Sequence, residues 1–200
     1  MIVTTAKLLR RQGYHGTGLN QIVAESGAPK GSIYFHFPGG KEQLAAEAIR
    51  ASADYLDAGL RACERATALE SIDLYIAEAA NLLERTDFAD GCPIATVVLE
   101  VTPTSPEIAA ACAEAVERLL ARVTGWIERD GTAPDLARER AQLVYGALEG
   151  ALVFAKALRS VDPLTTLRRQ LPELLGSAPP RRRAKVAAAR DKSPAPTQSG

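Results

Sequence analysis

GYHGTGLNQIVAESGAPKGSIYFHFPGGKEQLAAEAI, residues 13–49, is the stretch on which the reading of this chain turns. Leu19, Ile22 and Val23 stand at i, i+3 and i+4, the spacing of one helical face, and predict a short helix over 19–26. Gly27 stops it, because glycine adopts the left-handed backbone of a helix C-terminus at little cost. Pro29 suits the first turn of a next helix, where its missing N–H is no loss. That helix is expected to reach His36 before Pro38-Gly39-Gly40 ends it. Two short helices joined by a glycine turn form a helix-turn-helix, whose second helix fits a DNA major groove.

Projected at about 100° per residue, Ile33 and Phe37 share one side of the second helix and must face a core. The other side carries Gly31, Ser32, Tyr34 and Phe35, with Lys30 at its edge. Each has a use on DNA. Gly31 permits close backbone approach, Ser32 and Tyr34 donate to phosphates, Lys30 adds charge, and Phe35 meets thymine methyl groups. Lys41, opening the following helix, can reach the DNA backbone. The pattern alone also fits a structural helical hairpin with Phe35 partly buried.

Outward from this stretch the chain reads as helix throughout. Ile2, Ala6 and Leu9 share a face of a first helix over 2–12. Further helices are expected over 41–64, 69–85, 106–129, 134–159 and 163–175, with an apolar segment at 94–101. Ile108, Cys112, Val116, Leu119, Val123 and Trp126 form one stripe along the helix over 106–129. No strand pattern and no internal repeat appears, so the fold class is all-α. Residues 177–200, rich in Pro, Ala, Ser and Arg, lack the apolar surface to offset chain entropy and read as a disordered basic tail. The expected division is a DNA-binding domain at 1–45, a ligand-binding and dimerisation domain at 46–176, and the tail at 177–200.

The formal net charge is zero, but it is unevenly spread. Lys7, Arg10, Arg11 and Lys30 face only Glu25 in residues 1–40, and six basic residues face only Asp191 in 177–200. Two basic ends around an acidic middle suggest an anionic partner at the ends. Three cysteines, Cys63, Cys92 and Cys112, show no metal-ligand spacing and suit a reducing compartment. No apolar h-region marks a signal peptide, and the apolar run 143–158 contains Glu149 and Lys156, so a cytoplasmic chain with no membrane partner is expected. The two histidines, His15 and His36, both fall in the DNA-reading stretch, and no nucleophile elbow or phosphate loop is present, so the chain reads as no enzyme, with no metal or cofactor.

Residues 13–49 resemble the DNA-binding domain of TetR-type repressors: glycine-aromatic, a glycine turn, lysine-glycine, a tyrosine, a terminal phenylalanine, then lysine-glutamate. FPGGKE at 37–42 and GCPIATVVLE at 91–100 resemble the LmrA/YxaF-like branch of that family. The resemblance implies a homodimeric, ligand-responsive repressor on a palindromic operator, paired through its last two long helices. It implies a DNA surface of Thr17, Gly18, Lys30, Gly31, Ser32, Tyr34, Phe35, His36 and Lys41. Family members usually carry Ser or Thr where Gly18 stands, so Thr17 is expected to take over that capping and phosphate contact. The usual basic arm before the first helix is not expected, since Met1 lies almost within that helix.

The helix over 134–159 is apolar nearly all round and needs cover on two sides, which a second copy of the chain can supply. Glu100 and Glu149 interrupt apolar runs and either pair internally, sit at an exposed edge, or line a ligand pocket. Tyr75, Trp126, Tyr145 and Phe154 are the candidate walls of that pocket, and Cys92 its candidate thiol, with a pKa lowered at a helix start. The effector is expected to be a small hydrophobic or aromatic molecule that releases DNA. The rival reading is a sequence-tolerant architectural DNA binder that uses the basic tail.

Overall fold

The computed structural model describes residues 1–29, 31–101 and 103–176. Among the described residues there are nine helices and no strand. They are α1 (Ile2–Gln12), α2 (Leu19–Ser26), α3 (Ser32–His36), α4 (Gly40–Ala62), α5 (Ala68–Arg85), α6 (Pro93–Val101), α7 (Pro106–Arg129), α8 (Pro134–Leu158) and α9 (Asp162–Leu174). The expected basic tail and Lys30 lie outside the described residues.

Two apolar clusters organise these helices. A small one joins Leu8, Ile22, Ile33, Phe37 and Leu44, so α1, α2, α3 and the start of α4 form a head. A much larger one runs from Leu9 and Ala45 through α4–α9. Leu8 and Leu9 are neighbours in sequence yet feed different clusters, because consecutive residues of a helix point about 100° apart. α4 serves both clusters without a break, so head and body share one rigid element across the boundary expected at 45/46.

The seam between α4 and α7 shows how register is set. Arg50 pairs with Glu114, Asp54 with Arg118, Asp57 with Arg122 and Glu64 with Arg129, at separations of 64, 64, 65 and 65 residues. A constant offset means that the two helices run parallel and in step. Asp57 is the centre of this ladder: its carboxylate is 2% exposed and also meets Arg61 and Arg118. Those guanidiniums hold Asp57 below the ordinary carboxylate range, the Arg122 hydrogen bond being the largest cause. The exposed pairs of the ladder add little each, about 0–1 kcal/mol, so they specify alignment more than they stabilise.

Caps and crossings fix the remaining helices. Thr67 and Glu70 form a reciprocal capping box at the start of α5. Ser105 caps α7 by accepting from Ile108 N at 3.2 Å and donates its own proton to Glu42 near the start of α4. Arg168 of α9 holds Asp73 of α5 through two bonds of 2.7 Å. Trp126 and the stripe of α7 pack inward as its periodicity predicts.

One boundary departs from expectation in a way that matters. Pro29 does not open α3; it precedes a turn in which Ser32 N donates to Pro29 O at 3.1 Å, and the helix begins at Ser32. By length and composition alone, α8 taken whole, Pro134–Leu158, is apolar enough to cross a membrane, although the run 143–158 within it carries Glu149 and Lys156. In the structure its inner face, with Val144, Tyr145, Leu148 and Ala155, belongs to the body core.

Candidate nucleic-acid interface and ligand cavity

α3 sits on the head through Ile33 and Phe37, both buried, and this anchoring turns the opposite residues outward. Phe35 is 82% exposed and Tyr34 64% exposed, with His36 exposed beside them. Phe35 and His36 meet edge to face at 5.0 Å. An exposed aromatic pair on so short a helix adds nothing to the core beneath it and is open to a partner. Ser32 is half-buried and donates to Pro29 O at 2.8 Å, so its hydroxyl holds the turn that leads into α3.

Gly31 has φ +94°, a left-handed backbone, and an added Cβ would meet nothing within 4 Å. Gly31 therefore turns the chain into α3 through a backbone that L side chains rarely adopt, and the face beside it is open. Thr17 also differs from expectation. It is buried, and its hydroxyl donates back to Gly13 O at 2.6 Å, so it neither caps α2 nor faces a phosphate. The turn that brings Thr17 N to Tyr14 O points this side chain at the end of α1. Gly18 is the N-cap of α2, exposed and in ordinary extended backbone, with no side chain to cap it.

Lys41 is directed inward in this state. Its ammonium lies 4.1 Å from the centre of the Tyr14 ring, and burial lowers its pKa while Glu100 opposes that change. Glu100 is the larger correction. It was a candidate pocket residue, yet its carboxylate leaves α6 for the head and accepts from Tyr14 N at 2.6 Å and His15 N at 3.0 Å. Gly13, at φ +71°, makes that approach possible, since any Cβ there would overlap the carboxylate. The second contact between α1 and the body went unseen in the sequence. Asp90, 2% exposed in the loop before α6, pairs with Arg10 at 2.9 Å and Arg11 at 2.8 Å. A lone aspartate in FADGCP carries no signal that distinguishes it from a solvated loop residue.

Within the body lies a cavity of about 520 Å³ between α4, α5, α8 and the loop before α6. Of the seven candidates, Tyr75, Cys92, Tyr145 and Glu149 line it. Glu100 does not, for the reason above. Trp126 is buried in the α7 core, with its Nε1 unsatisfied among the described residues, and Phe154 is 63% exposed on the outer face of α8. Helical spacing placed both correctly on α7 and α8, but it could not say which side of each helix a cavity would occupy. Asp90 is a further lining residue, so one carboxylate touches both the cavity wall and the end of α1.

The chemistry of the inner wall follows from burial. The four groups border cavity space yet lie deep among protein atoms. Desolvation raises Glu149 above the usual carboxyl range, while the nearby Cys92 thiol and Tyr145 hydroxyl act in the opposite direction. Burial, then the nearby Glu149 charge, pushes the Cys92 thiol well up, the opposite of the lowered pKa expected at a helix start. Tyr75 and Tyr145 are raised mainly by burial as well. A second cavity of about 270 Å³, lined largely by apolar residues of α6, α7 and α8, shares Tyr145 and Glu149 with the first.

Residues 1–48 match the family profile described as bacterial regulatory proteins, tetR family. Residues 68–170 match the profile described as transcriptional regulator LmrA/YxaF-like, C-terminal domain. The chain is 33% identical over 177 residues to the HTH-type transcriptional regulator LmrA of Bacillus subtilis, covering 88% of this chain and 94% of that protein. It is 37% identical over 193 residues to an HTH-type transcriptional regulator of Mycobacterium tuberculosis, covering 91% of this chain and 95% of that protein. Among solved structures, the regulatory protein TetR from Rhodobacter sphaeroides has a similar fold, with TM-score 0.77 and 21% identity over 86% of this chain and 95% of that one.

Proposed function

The chain belongs to the TetR family of bacterial transcriptional regulators, with an LmrA/YxaF-like C-terminal domain, and from that premise we propose that it is a dimeric repressor released from a palindromic operator by a small hydrophobic or aromatic molecule. The observation that carries this reading is a pair of features in one molecule. An exposed aromatic helix, α3, stands on the head, and a half-open cavity in the body is linked to that head by α4 and α6.

The DNA surface is Gly18, Tyr34, Phe35 and His36 on the outside of α2 and α3, with Gly31 setting the backbone; Lys30, its neighbour in sequence, belongs to the same reading. Lys41 exchanges its Tyr14 ring for a phosphate when DNA arrives, which a neighbouring loop amide pair already held by Glu100 would leave undisturbed. The dimer forms through α8 and α9. Leu143, Phe154 and Leu158 are exposed on the outer face of α8 beside Gly146 and Gly150, an apolar strip that a second copy covers with close helix approach. The head is residues 1–45 and the sensor body 46–176, working in the cytoplasm, where the free thiols Cys63, Cys92 and Cys112 stay reduced.

Release works through differential binding. A molecule that prefers one setting of the cavity wall shifts the loop that holds Asp90, the helix that ends in Glu100, and α4 along its ladder with α7. Palindromic DNA needs the two recognition helices about 34–36 Å apart, so a small tilt of α4 removes many contacts at once. Selection of bound duplexes from a random pool, followed by footprinting, is the test. Recovery of one palindrome with half-sites a helical turn apart is expected. Uniform recovery of all sequences would favour the architectural reading instead.

A further inference from the structure

We propose that the body cavity takes a hydrophobic organic cation, a protonated amine on an apolar or aromatic skeleton, with Glu149 as its anionic partner. This rests on the reading of the body as a small-molecule sensor and adds the chemical class of the ligand. Glu149 stands on the wall shared by the two cavities, so a molecule bound against it has space on both sides. What surrounds the carboxyl is donors without positive charge: Tyr145 on its own helix, Cys92 before α6, and Tyr75 nearby on α5. α7 contributes only Val116 and Leu120 to the adjoining cavity.

The larger cavity has other charged residues in its lining. Asp90 is held by Arg10 and Arg11. Arg65, Glu78 and Arg85 also line the space, and among the described residues none forms an ion pair with Glu149. A buried carboxyl without a counter-charge is costly when ionised, and here the cost shows as a raised pKa. The Cys92 thiol and Tyr145 hydroxyl, which line the same cavity, nevertheless favour the anion. An ammonium group completes that arrangement, and the phenol rings of Tyr75 and Tyr145 add faces to which a cation is attracted. A ligand carboxylate or phosphate would meet Glu149 as a like charge. The smaller cavity, lined by Ile94, Val98 and Leu120 among others, receives the apolar remainder.

The proton balance is fixed by this geometry. Glu149 gives up its proton to solvent when the ammonium arrives, and the ammonium keeps its own, so binding releases a proton wherever Glu149 is protonated beforehand. Amine affinity therefore rises with pH through the titration of Glu149 and levels off above it.

The experiment uses the full-length protein and two probes of one skeleton, 4-phenylbutylamine and 4-phenylbutan-1-ol, titrated calorimetrically in buffers of different ionisation heat from about pH 5 to about pH 8. The amine is expected to bind about ten- to a hundredfold more tightly than the alcohol, the range of a charge-assisted hydrogen bond. It should release a proton at the lower pH values. Glu149→Gln should remove the preference and the proton release while leaving alcohol affinity in place, which also shows that the variant is folded. Equal affinities for the two probes, or a preference that survives Glu149→Gln, overturn the cation assignment and leave small-molecule sensing standing. Binding of neither probe overturns the assignment too, and operator binding measured on the same preparations reports separately on the DNA-reading role.

Discussion

The head and the body use their apolar residues in opposite ways. The head holds five buried apolar side chains at its centre while Tyr34 and Phe35 point into solvent. The body buries several times as many and brings carboxyl groups inside: Asp57 in its seam, Asp90 in its loop and Glu149 on its cavity wall. The head leaves large aromatic surface outside its core, so its packing rests on a small buried cluster. The body can accept buried charge, because its larger core offsets the cost and carboxyls such as Asp57 and Asp90 tie neighbouring elements together.

The sharpest way to break this contrast is to remove one core side chain from each region. Ile22→Ala in the head and Ile76→Ala in the body both delete fully buried methyl groups, each at about 2–5 kcal/mol. The head variant should lose operator binding and lose amide-exchange protection throughout α2 and α3, with α7 and α8 protected as before. The body variant should lower the melting temperature of the whole chain. Equal loss of protection in both regions for Ile22→Ala would show that α4 welds them into one cooperative unit.

Phe35→Ala comes next. The side chain is exposed, so stability should move by no more than about 0.5 kcal/mol. Operator affinity should fall about ten- to a hundredfold, the size of one lost base contact. Unchanged affinity would return α3 to the role of a structural hairpin. Phe35 is a cleaner probe than Gly31, where any side chain adds backbone strain at φ +94°.

Asp57→Asn tests the charges that the body keeps inside. It removes the shared acceptor of Arg61, Arg118 and Arg122 and should cost about 1–3 kcal/mol at neutral pH. The Asp57 pKa is lower folded than unfolded, so its contribution is present above the unfolded value of about 3.9 and fades as pH falls through the folded one. Chemical unfolding of the two proteins should therefore converge in strong acid. A constant difference at every pH would mean that the ladder acts through packing and not charge.

The smallest effect belongs to Glu149→Gln measured for stability without ligand. Here the folded pKa is the higher one, so the wild-type group stabilises fully below the unfolded value and loses that contribution as pH rises through the folded one. The variant should gain on the wild type from acid to mildly alkaline pH in melting curves. A gap that moves the other way would place an unseen positive charge beside the carboxyl.

Much of the fold could be read from the chain. The i, i+3, i+4 faces of α1, α2 and α7, the glycine stops and the proline starts of α7 and α8 are local properties of helices, and local rules found them. The all-α class followed, as did the outward turn of Phe35, since Ile33 and Phe37 leave that side of α3 no other direction. What separated Tyr145 and Glu149 from Trp126 and Phe154 was not local. All four sit on helices of strong apolar character, and only the neighbours assembled from distant segments decide which face meets a cavity, a core or open solvent. Glu100 makes the point most plainly: the sequence marked it as a carboxylate in an apolar run, whereas its partners are backbone amides 85 and 86 residues away, whose positions exist only once α6 packs against α1.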